Sequence, residues 1–255
     1  MGFFYFYTMN IKSYLDSTYL KTPDQAGISI LEDVSVVKGF INEAISEHFK
    51  LIMIRPNHVV MAKKMIHEAK SKIDIGTVID FPDGNSGLEK KLSQANQAIA
   101  DGADDLDFVC NYEAFKNGEI ALVKNEIIAC TKLGLENHKV VKWIIEVAAL
   151  DDKQIIQICA LIKNVVISNF KEEHYASVFV KSSTGFYKTQ NNLPNGATLH
   201  SIIIMLENAS PLPVKAAGGV RTYEEATEMI KLGVKRIGTS GAKSIVDGQK
   251  SDSKY

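Results

Sequence analysis

The chain has 255 residues, 45% hydrophobic and 23% charged, which is material for a sizeable core within one or two domains. Its formal net charge is −1 and its basic residues are scattered, which excludes a protein working by broad attraction to nucleic acid or an anionic membrane. A small-molecule partner is expected instead.

The opening "MGFFYFYTMN" is aromatic, but it is too short for a signal peptide's apolar region and lacks a basic start. Met9 could equally begin the protein, so residues 1–12 are expected to be a disordered extension. "YLDSTYL" then reads as a strand, followed by a helix over about 33–47. "LIMI" (51–54) precedes the helical pattern "HVVMAKKMIHEAKS", and "IGTVID" (75–80) leads through "FPDGNSG" to a helix closing at "ADGADD". "LDFVC" (106–110) precedes a helix ending at "LGLENH", and "VVKWIIE" (140–146) precedes "DDKQIIQICALIKNVV". "SVFVKSS" is followed by a helix near 196–208, "PVKAAGG" by "TYEEATEMIKLG", and the last strand is "RIGTSGA". No run approaches the ~20 apolar residues of a membrane span.

Eight strand–helix alternations without hairpin turns predict a parallel sheet covered by helices. An open doubly wound sheet is the competitor, but no GxGxxG follows the first strand. A single (β/α)8 barrel over residues 13–246 is therefore expected, with a flexible tail at 247–255.

Three cysteines, Cys110, Cys130 and Cys159, have no metal-ligand spacing and sit in apolar segments, as buried free thiols of a reducing compartment would. The six histidines are dispersed over helices and loops, so no metal site is expected. Neither membrane nor nucleic acid is an expected partner, and the location expected is the cytoplasm.

Barrel active sites form at the C-terminal strand ends. Strand alternation groups Asp107 with Val109 and Asn111, Lys142 with Ile144 and Glu146, Lys181 with Phe179 and Ser183, and Lys215 with Ala217 and Gly219. If these sets face the lumen, Asp107, Lys142, Lys181 and Lys215 converge on one cavity. A single strand-end lysine is usually a solvent-reaching residue, but three on consecutive strands beside carboxylates are harder to dismiss. Adjacent ammonium groups repel and burial disfavours charge, so one lysine pKa should fall. A neutral amine attacks carbonyl carbon, which points to Schiff-base chemistry. The glycine runs "AAGGVRT" and "IGTSGA" follow the seventh and eighth strands, where barrels often bind phosphate through backbone N–H groups.

"VFVKSSTGF", "VKAAGGVRT", "GADDLDFVCNY" and "TVIDFPDGN", together with "LDSTYLK" and "RIGTSGA", resemble deoxyribose-phosphate aldolase, a class I (Schiff-base) aldolase family, over roughly residues 13–255. The resemblance implies a (β/α)8 barrel that reversibly cleaves 2-deoxy-D-ribose 5-phosphate to D-glyceraldehyde 3-phosphate and acetaldehyde, with no cofactor. It implies Lys181 as the Schiff-base lysine, Lys215 as the lysine that tunes it, and Asp107 with Lys142 in the proton relay. Asp16 and Thr18 match polar residues of the family's first strand, and phosphate is expected on Gly185, Gly218, Gly219, Gly238 and Ser240. Longer members also end in a Gly/Ser/Lys-rich stretch with a terminal tyrosine, so Tyr255 is a candidate proton donor. A sugar-phosphate substrate and a homodimer are expected.

The chain departs from the family at Glu146-Val147-Ala148, Trp143, Met53, Arg55 and the loop "YKTQNNLPNG", all of which bear on rim shape and aldehyde preference. The alternatives are a related lysine-dependent aldolase with another aldehyde, and a non-catalytic sugar-phosphate-binding barrel whose lysines are only anion ligands.

Overall fold

The computed structural model describes residues 10–249. Tyr255 and the rest of the tail beyond Gln249, like residues 1–9, lie outside the described residues. Eight parallel strands close into one barrel in the order of the sequence: β1 Leu15–Tyr19, β2 Leu51–Ile54, β3 Asp74–Ile79, β4 Asp105–Val109, β5 Val140–Ile144, β6 Val178–Lys181, β7 Val214–Ala217 and β8 Arg236–Thr239. The outer layer comprises α1 Ile30–Glu47, α2 Val59–Glu68, α3 Leu88–Asp101, α4 Ile120–Glu136, α5 Asp152–Asn169, α6 Leu199–Ala209, α7 Tyr223–Leu232 and the short α8 Ala242–Val246.

Local chemistry sets the helix starts. Capping boxes open α1 (Ser29, Glu32), α5 (Asp151, Gln154), α6 (Thr198, Ser201) and α7 (Thr222, Glu225), each satisfying backbone donors that the first turn leaves free. The Ser29 box explains why α1 begins three residues before the apolar pattern suggests. Ile11–Tyr14 form a 3-10 turn with Ile11 buried, and the Lys12 carbonyl accepts the Lys50 N–H at 3.2 Å. The apolar Ile11 is thereby drawn into the core ahead of β1.

The main core lies between strands and helices and is built of Ile, Val, Leu and Ala from alternate strand positions. Trp143 belongs to this outer layer: its ring stacks on Phe108 at 5.2 Å and its Nε1 donates to Thr131 Oγ1 at 3.0 Å. It therefore does not shape the rim, contrary to the concern its bulk raises in the sequence. The opposite parity faces the lumen. There Leu20, Leu51, Met53 and Val78 form an apolar cluster, with Phe81 and Phe186 packed on it. Gly76 makes room for Met53, since a Cβ on it would lie 2.4 Å from Met53 Cε.

Candidate active site

Register fixes the neighbours of each lumen-facing polar residue. Asp107 sits beside Lys142, Lys181 beside Lys215, and Lys215 beside Arg236. Asp107 is the hub. Its Oδ1 accepts Lys142 Nζ at 2.8 Å, and its Oδ2 accepts both Lys181 Nζ at 2.9 Å and Lys215 Nζ at 3.0 Å. Lys215 Nζ also lies 2.6 Å from Asp16 Oδ2, and Lys142 Nζ donates to Asp105 Oδ2 at 2.6 Å. Arg236 closes the circuit, with Nε 2.7 Å from Asp16 Oδ1 and Nη2 3.4 Å from Asp105 Oδ2. All seven side chains are buried.

The described network holds three carboxylates against four basic groups, so it balances when one base is neutral. That base is Lys181. Burial pushes its ammonium down, the Asp107 carboxylate opposes this, and the Lys215 cation pushes it down again, to about 8. Four of the others are held charged by their partners. Burial works against Asp107, but Lys142, Lys181 and Lys215 overcome it and keep its carboxyl well below the usual range. Burial likewise opposes Asp16, yet Arg236 and Lys215 hold its carboxyl low. Burial would lower Lys142 and Arg236 too, but Asp105 and Asp107 raise the first, and Asp16 and Asp105 the second. A closed site of this kind can present one free amine among fixed charges.

The turn after Lys181 is held from β5. Glu146, in the left-handed region at φ 57°, turns its buried carboxylate toward Ser183 Oγ, Thr184 Oγ1 and the Thr184 N–H, the last at 3.1 Å. The departure at Val147 and Ala148 leaves this clamp in place. The long loop after β6 packs back on the site: Asn195 Nδ2 donates to the Gly185 carbonyl at 2.9 Å, and the Ala197 N–H to the Gly218 carbonyl at 2.9 Å.

The expected substrate-binding positions separate into two groups. Gly185, Gly218 and Gly219 have φ of 83°, 75° and 86° and form adjoining turns at the barrel mouth, where Gly196 and Gly218 approach so closely that neither admits a side chain. Ser240 is half-buried directly after β8. Gly238 lies deeper, and a Cβ there would meet Lys215 Cε at 3.1 Å, so its absence gives the lysine stem its path. Asp16 and Thr18 also lie deep: Asp16 pairs with Lys215 and Arg236, and Thr18 Oγ1 donates to the Asp16 carbonyl at 2.9 Å.

Asp105 and Arg236 escaped the sequence reading. Strand parity places them on the faces of Asp107 and Gly238, a signal that could have found them. Among the described residues no group of three or more His, Cys, Asp or Glu could hold a metal ion, and no helix is long and apolar enough to cross a membrane.

Fold and site together define an α/β-barrel enzyme built around a buried, easily deprotonated lysine. A family model described as "DeoC/LacD family aldolase" matches residues 13–245. The deoxyribose-phosphate aldolase of Thermococcus gammatolerans is 36% identical over 244 residues, covering 95% of this chain and 98% of that protein. A putative deoxyribose-phosphate aldolase from Coccidioides immitis aligns with TM-score 0.76 at 26% identity, covering 93% of this chain and 84% of that one. The deoxyribose phosphate aldolase from Aeropyrum pernix aligns with TM-score 0.75 at 26% identity, over 93% and 89% of the two chains. The chain belongs to the DeoC/LacD aldolase family and is an aldolase, a carbon–carbon lyase. The Aeropyrum pernix protein is described as a unique tetramer, an assembly that differs from the homodimer expected here.

Proposed function

We propose that the protein is a cytoplasmic class I aldolase that reversibly cleaves 2-deoxy-D-ribose 5-phosphate to D-glyceraldehyde 3-phosphate and acetaldehyde through an iminium on Lys181. Residues 13–246 are its catalytic domain, flanked by the segments 1–12 and 247–255. The observation that carries this reading is the buried Lys181 amine, at about 8, sharing one carboxylate oxygen with a second lysine.

Neutral Lys181 attacks C1 of the open-chain sugar, and loss of water gives the iminium. Its positive charge is met by Asp107, which is already oriented at 2.9 Å from the nitrogen. The iminium withdraws the electron pair of the C2–C3 bond as that bond breaks, and the C3 hydroxyl becomes the new aldehyde. Asp107, through water, takes the hydroxyl proton, and the Lys142 ammonium at 2.8 Å supports the relay. Because Asp107 is held well below the ordinary carboxylate range, it keeps a proton only briefly and passes it on. Tyr255 protonates the enamine at C2, and hydrolysis releases acetaldehyde and the free amine. The glycine turns after β6 and β7 and Ser240 hold the phosphate, their backbone N–H groups serving as donors.

The test is borohydride reduction with deoxyribose 5-phosphate, read by peptide mass, beside a coupled cleavage assay in chelator. A two-carbon or sugar-phosphate adduct on Lys181, lost in Lys181→Ala, is expected. Undiminished labelling in that variant would refute the assignment.

A further inference from the structure

The lumen cations of the ion network all have carboxylate partners. Arg55 does not. It stands two residues beyond Met53 and keeps the parity of Leu51 and Met53, so its side chain rises from the apolar cluster at the β2–β3 edge of the mouth. Its Nε donates to the Leu20 carbonyl at 2.7 Å, and its guanidinium lies 5.0 Å from the Phe81 ring centroid and 6.0 Å from that of Phe186. The two rings meet edge-on at 5.1 Å and fix the guanidinium from one side. Among the described residues no carboxylate lies within ion-pair distance of it, although the Asp33 carboxylate offsets part of the cost of its burial. A half-buried cation in this position is costly unless an anion completes it.

The space before it has polar walls. A cavity of about 270 Å³ is lined by Arg55, Val78, Asp80, Asp83, Ser86 and Lys90, among others. Val78 is the register neighbour of Asp107 and belongs to the lumen-facing apolar cluster, so this cavity borders the lumen that holds the reactive amine. Asp80 is already engaged: its Oδ2 accepts the Ser86 N–H at 3.0 Å and lies 3.7 Å from Lys91 Nζ. The two aspartates still make the pocket less hospitable to a dianionic phosphate than to a singly charged carboxylate.

We propose that Arg55 forms an anion subsite, opposite the glycine turns, that accepts the carboxylate of an acidic acceptor aldehyde. The uncommitted Nη edge offers two donors in the fork geometry that carboxylates match. Lys90, at the rim, adds long-range attraction. In the condensation direction the acetaldehyde enamine on Lys181 would attack such an acceptor, forming the C–C bond as its carbonyl oxygen takes up a proton. The inference rests on the Schiff-base reading and extends its range of acceptors.

The test compares 4-oxobutanoate with its neutral relatives, butanal and 4-oxobutanamide, as acceptors for acetaldehyde. The parent protein should favour the carboxylate in kcat/KM by about tenfold or more, as a charge-assisted bidentate contact provides. Arg55→Met, which keeps the apolar stem, should bring the ratio near one, and Arg55→Lys should recover part of it. No preference in the parent, a measurement that needs no variant, would overturn the proposal. So would a preference that survives in Arg55→Met. A loss in Arg55→Met equally large for glyceraldehyde 3-phosphate against glyceraldehyde would overturn it too, by making Arg55 a phosphate ligand. Absence of a borohydride adduct on Lys181 with deoxyribose 5-phosphate would instead be a failure of the aldolase mechanism itself.

Discussion

Replacing Lys215 by Leu should move the acidic limb of the rate profile upward by about two pH units. Lys181 and Lys215 donate to the same Asp107 oxygen, at 2.9 and 3.0 Å, so their nitrogens are less than about 6 Å apart. At an effective dielectric of about 20, two unit charges at that distance repel by about 3 kcal/mol, which corresponds to about two pH units. Burial, the largest cause of the depression of Lys181 to about 8, stays in place, so the amine should not regain the full 10.5 of a free lysine. At neutral pH the neutral fraction should drop by about 100-fold, and kcat/KM with it, recovering as the solution is made alkaline. The variant also breaks a buried pair with Asp16, at a cost of about 3–5 kcal/mol, so circular dichroism and thermal unfolding must show that it still folds. The assay is the pH dependence of coupled cleavage, paired with the pH dependence of borohydride trapping at Lys181. A folded variant whose acidic limb stays in place would refute the electrostatic role of Lys215.

Lys181→Met should be inactive yet more stable. The folded pKa of Lys181, about 8, lies below the unfolded one, so the unfolded chain binds the extra proton. The resulting penalty of about 3 kcal/mol is full below the folded pKa and fades as pH rises toward the unfolded one. Calorimetry at neutral pH should show a gain on the order of 5 °C that shrinks in alkaline buffer. Deoxyribose without its phosphate should react with a much lower kcat/KM, and Gly219→Val should penalise only the phosphorylated sugar, because the turn at φ 86° rejects a branched residue. Tyr255→Phe should leave iminium trapping intact and slow solvent deuterium exchange into acetaldehyde, as measured by proton NMR.

Strand parity made the lysines and Asp107 legible, because alternation along four short strands sends them to one side. The same parity sends Trp143 outward beside Lys142, and a stricter use of it would have removed the rim concern. Asp105 and Arg236 were harder to see. Each lies at the start of its strand, where polar residues ordinarily reach solvent, and only the shear of the closed barrel brings them inside. Sequence does not show that a lysine stem from the neighbouring strand crosses Gly238. The extent of α1 was readable from the Ser29–Glu32 cap, a local signal weaker than the apolar pattern but more accurate at the boundary.

The Arg236–Asp16 contact joins β8 to β1 across 220 residues of chain, at the seam where the barrel shuts. Asp16 in turn holds Lys215, and Lys215 shares the oxygen that orients Lys181. The reactive amine therefore has no existence in any fragment of the chain. A growing polypeptide that has made β6 but not β8 lacks both the Arg236–Asp16 contact and the closed lumen that buries Lys181. The site is completed last, when the seam closes and the barrel walls come together around Lys181.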